Sequence, residues 1–167
     1  MLSPERTRID FSQQYKPAAC SVSLSAGTKE ECLRELAQLL VDAEQLPKRQ
    51  VAPLQAAFLE RERVASTGVG AGVAIPHVKL GAVKETVLGF GVHKKGVEWS
   101  AVDGEPAHIF FVVVRPAAAS GLHDPRRHLE LMQWIAHLAR VQDFRRFALA
   151  AQSGKELVEL LREMAQA

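Results

Sequence analysis

A chain of 167 residues with 47% hydrophobic and 24% charged side chains can form one globular domain with a buried core, which excludes global disorder. A formal net charge of only +2 argues against a dedicated nucleic-acid-binding protein, which usually carries a basic face. The two cysteines are too few for a disulfide framework, and the longest apolar run, residues 109–114, is too short for a membrane span. With a polar N-terminus, these features predict a reduced, cytoplasmic protein without direct membrane insertion.

The N-terminal segment is mostly polar and contains Pro4 and Pro17. We interpret residues 1–17 as a lead-in to a domain of residues 18–167. Residues 18–26 alternate weakly between apolar and polar side chains, which predicts a first strand. No linker interrupts the chain after that point, so one domain is expected.

Two helices are predicted next. Thr28 and Glu31 fit the capping box, in which each side chain satisfies a backbone donor of the first turn, so a helix is predicted over residues 28–45. A second helix is predicted from about residue 50 to residue 63. The inward residues recur at helical spacing: Leu33, Leu36, Ala37, Leu40 and Val41 in the first helix, and Leu54, Ala57 and Phe58 in the second.

The centre of the chain is predicted to form strands and turns. Three glycines within residues 66–72 predict a loop or tight turn. Strands are predicted over residues 86–92 and 109–114, joined by a hairpin with a turn at Asp103-Gly104. Because residues 109–114 are apolar throughout, both faces of that strand should be buried, which predicts helices on both sides of the sheet.

The last third of the chain is predicted to be helical. Asp124 as N-cap and Pro125 as first helical residue start one helix, and Asp143 and Ser153 start two more, the last ending near Met164. Helices, short strands and further helices in this order predict the α/β class. The expected architecture is a three-layer α/β/α single domain with a small mixed β-sheet flanked by helices.

One segment, residues 61–79, combines features suited to phosphoryl chemistry. A charged helix end is followed by a glycine-rich loop, a short strand at residues 73–75, and Pro76 immediately before His77. Arg61 and Arg63 can neutralise an oxyanion by bidentate contact. The loop supplies hydroxyl groups and closely approaching backbone N–H groups from Ser66, Thr67, Gly68, Gly70 and Gly72.

Competing sites are poorly supported by the sequence. The glycines alternate, so the G-x-G-x-x-G fingerprint is only partly matched, and no Walker pattern is present. The spacings of His123, His128 and His137 match no zinc site, and the cysteines are distant. Neither a metal nor a cofactor is therefore expected.

The segment STGVGAGVAIPH, with the Arg61-Glu62 pair before it, resembles a known active-site signature. It is similar to the type-2 (fructose/mannitol and nitrogen-regulatory) enzyme IIA domains of the bacterial phosphoenolpyruvate-dependent phosphotransferase system. The family pattern is close to R-E-x-x-x-S-T-G-[IV]-G-x-G-[IV]-A-[IL]-P-H, which the chain matches from Arg61 to His77. The resemblance continues through DGEPAHIFFVVVRP and HLELMQWIAHLAR and covers roughly residues 18–160.

The resemblance implies roles for three side chains. His77 is expected to accept the phosphoryl group, His128 to lie beside it as the second histidine, and Arg61 to belong to the same site. His123, in the preceding loop, is the alternative second histidine. The implied donor is a small phosphohistidine carrier protein, and the implied acceptor is a cysteine of a IIB protein or a regulatory target. An imidazole with an ordinary pKa of about 6.5 is largely neutral and nucleophilic in the cytosol.

The remaining histidines and a basic cluster have simpler interpretations. We expect His93 to be exposed, His137 to face solvent or a partner, and His108 to be structural. The tryptophans, Trp99 and Trp134, are interpreted as core or rim packing. The basic cluster is either a solvated helix face or a landing site for an acidic partner, and it consists of Arg126, Arg127, Arg140, Arg145 and Arg146.

Three functions follow from this resemblance. The leading one is a stand-alone nitrogen-regulatory-type IIA protein, favoured because no IIB or membrane IIC segment is fused in the sequence. The second is a sugar-transport IIA protein that relays phosphate to a separate IIB partner. The third is a non-catalytic IIA-like interaction module, against which the intact motif around His77 argues.

Overall fold

The computed structural model describes residues 9–117 and 124–164, and within them six β-strands and five α-helices are found. The helices are α1 (Lys29–Asp42), α2 (Val51–Val64), α3 (Pro125–Arg140), α4 (Gln142–Ala150) and α5 (Gly154–Met164). The strands are β1 (Cys20–Ser21), β2 (Gly68–Gly70), β3 (Val73–Ala74), β4 (His77–Leu80), β5 (Val87–Val97) and β6 (Ala107–Pro116). Short 3-10 helices lie at Phe11–Gln14, Pro17–Ala19 and Lys48–Gln50.

All six strands join one mixed sheet with β5 and β6 at its centre. These two strands are antiparallel, and β1 runs parallel to β5. β3 and β4 both run parallel to β6 on its other side, with Val73 opposite Ile109 and His77 opposite Val113. β2 pairs with β3 in antiparallel orientation. The predicted small mixed sheet is confirmed. β4 pairs with the C-terminal end of the central strand β6.

The strand predicted to be buried on both faces is the centre of β6. Its side chains alternate between two hydrophobic cores, one on each side of the sheet. Ile109, Phe111 and Val113 pack against α3, α4 and α5, whereas Phe110, Val112 and Val114 pack against α1 and α2. This confirms the three-layer α/β/α architecture.

Two predicted helix starts are confirmed. Thr28 Oγ1 accepts a hydrogen bond from the backbone N–H of Glu31 at 3.2 Å. The Glu31 carboxylate accepts from the N–H of Gly27 at 3.1 Å, one residue earlier than the usual capping-box donor. Asp124 caps α3 by accepting from the N–H of Arg126 at 3.0 Å, with Pro125 as the first helical residue.

Several strands differ in length from the prediction. β1 is only Cys20–Ser21, because Pro17–Ala19 forms a 3-10 turn before it. β5 extends to Val97, five residues past the predicted end at residue 92, and is exposed at Lys94 and Lys95 where it projects past the core. β4 was not predicted at all, because a run of only four residues, three partly buried and one exposed, is too short to indicate a strand.

Two aromatic side chains from the expected lead-in are buried in the core. Phe11 is 4% exposed and Tyr15 is 2% exposed. Their ring centroids lie 5.8 and 6.0 Å from that of Trp134 on α3, so this tryptophan packs at the rim of the core as expected. The position of the domain boundary stays a prediction, but packing of the domain against α3 begins as early as Phe11.

The expectation that His93 is exposed is wrong, since only 4% of this residue is accessible. Its Nδ1 accepts a hydrogen bond from the N–H of Gly96 at 3.0 Å, which leaves the proton on Nε2. That Nε2–H donates to the carbonyl oxygen of Ala26 at 2.8 Å. The imidazole is buried because the extended β5 and the loop before α1 supply both of its partners. His137 is exposed, as predicted.

Candidate functional site

Glu62, in the last turn of α2, fixes the start of the motif. Its side chain is only 6% exposed and forms an ion pair with Lys29 Nζ at 2.8 Å. The same carboxylate accepts hydrogen bonds from the backbone N–H of Thr67 at 3.2 Å and from the Thr67 hydroxyl. One buried carboxylate therefore connects α1, the end of α2 and the residues that lead into β2.

The hydroxyl groups of Ser66 and Thr67 form hydrogen bonds within the fold. Ser66 Oγ donates to the carbonyl oxygen of Trp99 at 2.6 Å and accepts from the N–H of Gly68 at 3.1 Å. Thr67 Oγ1 donates to Glu62 and accepts from Trp99 Nε1–H at 3.0 Å. The structure thus uses both hydroxyls to hold the motif against Trp99, and direct donation to a phosphoryl group stays a prediction.

The glycines of the motif shape the β2–β3 hairpin. Gly70 has a φ of +94°, in the left-handed region that favours glycine. At the tip, the N–H of Ala71 donates to Asp103 Oδ2 at 2.9 Å. This bond, with a second one from the N–H of Glu105, lowers the pKa of the Asp103 carboxyl group. At least one amide of the loop therefore binds a carboxylate of this chain, and a phosphate-binding role for the glycines stays a prediction.

Gly68 is required for close packing, so Gly68→Ala is expected to lower the free energy of unfolding by about 2 kcal/mol. A Cβ atom at this position would lie 2.8 Å from Ala101 Cβ and 3.0 Å from Ala101 Cα. Urea denaturation measures the change. Gly81→Ala is the matched control, because a Cβ there meets nothing within 4 Å. Equal stability of the two variants would contradict the packing argument.

His77 is the first residue of β4, and its ring is held in one tautomer. Nδ1 lies 2.6 Å from the carbonyl oxygen of Ile75, and since a carbonyl only accepts, Nδ1 carries the proton and donates it. The lone pair is consequently on Nε2. Pro76, between the two residues, accepts at its own carbonyl from the N–H of Val113, which fixes the backbone at this point. Nε2 is therefore the ring nitrogen that is able to act as a nucleophile.

The surroundings of His77 favour its neutral form. Burial lowers the pKa of this imidazole from its ordinary value of 6.5, although the hydrogen bond to Ile75 acts in the opposite direction. The positive charges of Arg61 and Arg115 lower the pKa further, and Glu62 offsets them in part. The net result is a neutral imidazole in a positive electrostatic potential, which suits a nucleophile that attacks an anion.

This environment predicts at which pH His77 becomes protonated, and NMR titration of its ring can measure that pKa. We expect its pKa to lie below 6.5, and Arg61→Gln to raise it because one of the lowering charges is removed. The unfolded chain then takes up this proton at a higher pH than the folded chain does. The stability linked to neutral His77 is therefore present above pH 6.5 and is lost as the pH falls below that value. A pKa at or above 6.5 would contradict the assignment.

The structure places His77 and His128 on the same side of the sheet. His77 lies opposite Val113, which packs in the core under α3, whereas the next residue, Val78, packs in the core on the other side. His128 lies in the first turns of α3, and Leu131, three residues further, is buried in the core under that helix. His123, the alternative second histidine, lies outside the described residues.

Arg61 acts on His77, whereas a cavity adjoins His128. Arg61 Nη1 donates to the carbonyl oxygen of Ala65 at 2.8 Å, where it satisfies the C-terminal end of α2, and its charge acts on His77. A cavity of about 390 Å³ lies beside α3 and is lined in part by His128, Arg127 and Thr86.

In the described part of the chain, no group of three metal-binding side chains is assembled, and no helix is long and apolar enough to cross a membrane.

Two residues of this neighbourhood received no role from the sequence. Glu62 matched the motif, but a buried carboxylate that binds Thr67 and Lys29 depends on contacts remote in sequence. Arg115 ends the apolar strand in FVVVRP, and its charge acts on His77 from a neighbouring strand. A charged residue at the end of an otherwise apolar strand was the available signal for Arg115.

Comparison with known proteins identifies the family. Residues 15–164 match the family described as the phosphoenolpyruvate-dependent sugar phosphotransferase system, EIIA 2. The chain belongs to this family. Its members take part in phosphoryl transfer, and the resemblance inferred from the motif is confirmed.

Curated relatives include both sugar-specific and regulatory proteins. The fructose-specific EIIA component of Haloferax volcanii is 33% identical over 83% of this chain and 86% of that protein. The nitrogen regulatory protein of Pseudomonas aeruginosa is 29% identical over 92% of this chain and 95% of that protein. The fructose-specific EIIABC component of Bacillus subtilis is 32% identical over 85% of this chain, which spans only 21% of that longer protein.

Solved structures share the fold. Nitrogen regulatory protein IIA-Ntr from Neisseria meningitidis superimposes with a TM-score of 0.77 at 26% identity, covering 90% of this chain and 98% of that one. Enzyme IIA for mannitol from Escherichia coli, in complex with phosphorylated enzyme IIB, gives a TM-score of 0.69 at 20% identity, over 89% and 99% of the two chains. The α/β architecture of the family is thus the architecture of this chain.

Proposed function

We propose that the chain is a phosphocarrier that accepts a phosphoryl group on Nε2 of His77 from a small phosphohistidine carrier protein. The observation that carries this proposal is the hydrogen bond of 2.6 Å from Nδ1–H of His77 to the Ile75 carbonyl. It fixes the tautomer and directs the lone pair to Nε2. Membership in a family of phosphotransferase-system components supports the same reaction.

The proposed transfer depends on positioning and charge stabilisation more than on covalent participation by other side chains. The Nε2 lone pair of His77 attacks phosphorus, while the N–P bond of the donor breaks and its electron pair returns to the donor imidazole. The proton stays on Nδ1, where the Ile75 carbonyl stabilises the positive charge that the ring then carries. Arg61 offsets negative charge on the incoming group, and His128 orients it.

Within this family, we propose the nitrogen-regulatory type, in which the phosphorylation state of His77 changes binding to a target protein. The match along nearly all of the Pseudomonas aeruginosa protein supports it, as does the structural similarity to the Neisseria meningitidis protein. Sugar transport is the second candidate. The fructose-specific relatives and the Escherichia coli complex with enzyme IIB favour it, and the acceptor would then be a IIB protein. The predicted cytosolic location belongs to both proposals.

The test is to incubate the purified protein with phosphoenolpyruvate, enzyme I and the small carrier protein, and to follow its intact mass. We expect the gain of one acid-labile phosphoryl group. Subsequent transfer to an added IIB protein would support the transport role, whereas retention of the group would support the regulatory one. No gain with several carrier proteins would overturn the phosphocarrier proposal in favour of a non-catalytic interaction module.

A further inference from the structure

Arg115 lies next to His77 on the same face of the sheet. In the register of β4 and β6, His77 is opposite Val113 and Lys79 is opposite Arg115. Side chains two residues apart on a strand point to the same face, so Arg115 projects to the side of Val113. α3 covers that side of the sheet, and His77 lies on the same side. Arg115 is therefore the diagonal neighbour of His77 on the adjacent strand.

The distance between these positions suits an arginine side chain. Adjacent strands are about 4.8 Å apart and residues two apart on a strand about 6.6 Å, so the diagonal is about 8 Å between Cα atoms. Long side chains span such a diagonal. The guanidinium of Arg115 acts electrostatically on the imidazole of His77, which is consistent with this reach.

Arg115 also lies at the end of the sheet that faces the cavity beside α3. The last pair of β5 and β6 at this end is Val87 opposite Val114. Thr86 precedes Val87 and lines the cavity together with His128. Arg115 follows Val114 on β6 and thus lies at the same end of the sheet. β6 lies between β4, which carries His77, and β5, which Thr86 precedes.

We propose that Arg115 is a phosphoryl-binding residue, whose guanidinium contacts the oxygens of the phosphoryl group carried on Nε2 of His77. This inference rests on the proposed function of His77 and adds a residue to which neither the motif nor the family match assigned a role. A planar guanidinium binds phosphoryl oxygens through two parallel hydrogen bonds, which an ammonium group cannot reproduce. Arg115 then stabilises both the transferring group and the phosphorylated product.

Phosphoramidate, a small phosphoryl donor, tests this role without a protein partner. Phosphoramidate reacts in its N-protonated form: the Nε2–P bond of His77 forms as the P–N bond breaks, and the electron pair of that bond leaves with neutral ammonia. Peptide mass spectrometry follows phosphorylation of His77, with exposed His137 on α3 as the internal reference for reagent activity. The variants are Arg115→Gln, Arg115→Lys, and Lys79→Gln as a matched control.

We expect Arg115→Gln to lower the ratio of His77 to His137 phosphorylation by roughly ten-fold or more, and Arg115→Lys to restore it only in part. Lys79 is exposed and is the register partner of Arg115 on β4. Lys79→Gln therefore removes one exposed positive charge and should change the ratio by less than about two-fold. Equal losses in Arg115→Gln and Lys79→Gln would overturn the contact in favour of a general electrostatic effect. An unchanged ratio in Arg115→Gln would overturn it outright.

The outcomes separate this inference from the proposed function. Phosphorylation of wild-type His77 by phosphoramidate but by no carrier protein would reject the phosphocarrier role and still measure the contribution of Arg115. Absence of phosphorylation at His77 from either source would overturn both. NMR titration supplies a second readout, since Arg115→Gln should raise the pKa of His77, whereas a purely structural role would leave that pKa unchanged.

Discussion

Replacing His77 with alanine is expected to abolish the acid-labile gain of one phosphoryl group from the carrier protein. The reason is the geometry of the nucleophile: the Ile75 carbonyl holds Nδ1–H, so Nε2 is the only atom of this ring that can attack phosphorus. No other group of the described site combines a fixed tautomer with the positive potential of Arg61 and Arg115. Intact mass spectrometry after incubation with phosphoenolpyruvate, enzyme I and the carrier protein measures the result.

Two further histidine variants serve as controls for this prediction. His137→Gln changes an exposed histidine on α3 and should leave the gain intact. His128→Gln should slow the reaction by roughly ten- to hundred-fold without abolishing it, because a residue that orients the group contributes less than the nucleophile does. Persistence of one acid-labile phosphoryl group in His77→Ala would show that another residue is the acceptor.

Replacing Glu62 with alanine is expected to give the largest loss of stability among these variants, about 3 kcal/mol. The carboxylate is 6% exposed and has three partners: Lys29 Nζ and two groups of Thr67. Removing it leaves the buried N–H of Thr67 without an acceptor and an ammonium group that is only 22% exposed without its counter-ion. Urea denaturation followed by circular dichroism measures the change.

A neighbouring glutamate provides the control for Glu62. The side chain of Glu60 is 72% exposed and pairs with Arg63, so Glu60→Ala should change stability by less than about 0.5 kcal/mol. Glu62→Gln retains the shape but not the charge and should fall between the two. If Glu62→Ala were as stable as Glu60→Ala, Glu62 would not hold the motif in place. Phosphorylation of any folded Glu62 variant should also be slower, because the segment that leads to His77 loses its anchor.

The sequence determined the features that depend on neighbouring residues. The caps at Thr28 and Asp124 involve partners within four residues, so local pattern sufficed to place the starts of α1 and α3. The apolar run of residues 109–114 predicted layers on both faces of the sheet, because a strand with no polar side chains cannot be exposed to water on either face. The motif from Arg61 to His77 identified the family, since so many fixed positions rarely agree by chance.

Tertiary structure alone decided the features that depend on distant partners. β4 exists because it pairs with β6, more than thirty residues away in sequence, and its own pattern is too weak to predict a strand. His93 is buried in part because Ala26, 67 residues earlier in the chain, accepts from its Nε2–H, and that partner could not be inferred from the residues around it. Phe11 and Tyr15 join the core because α3 places Trp134 against them.

The neighbourhood of His77 shows the same division. The sequence supplied His77 as the proposed nucleophile, because proline and histidine after a glycine-rich segment form a local pattern. It could not supply Arg115, because that residue is brought near His77 only by the register of two parallel strands. Strand register is fixed by which apolar side chains fill each core, and that choice is made by the packed chain as a whole.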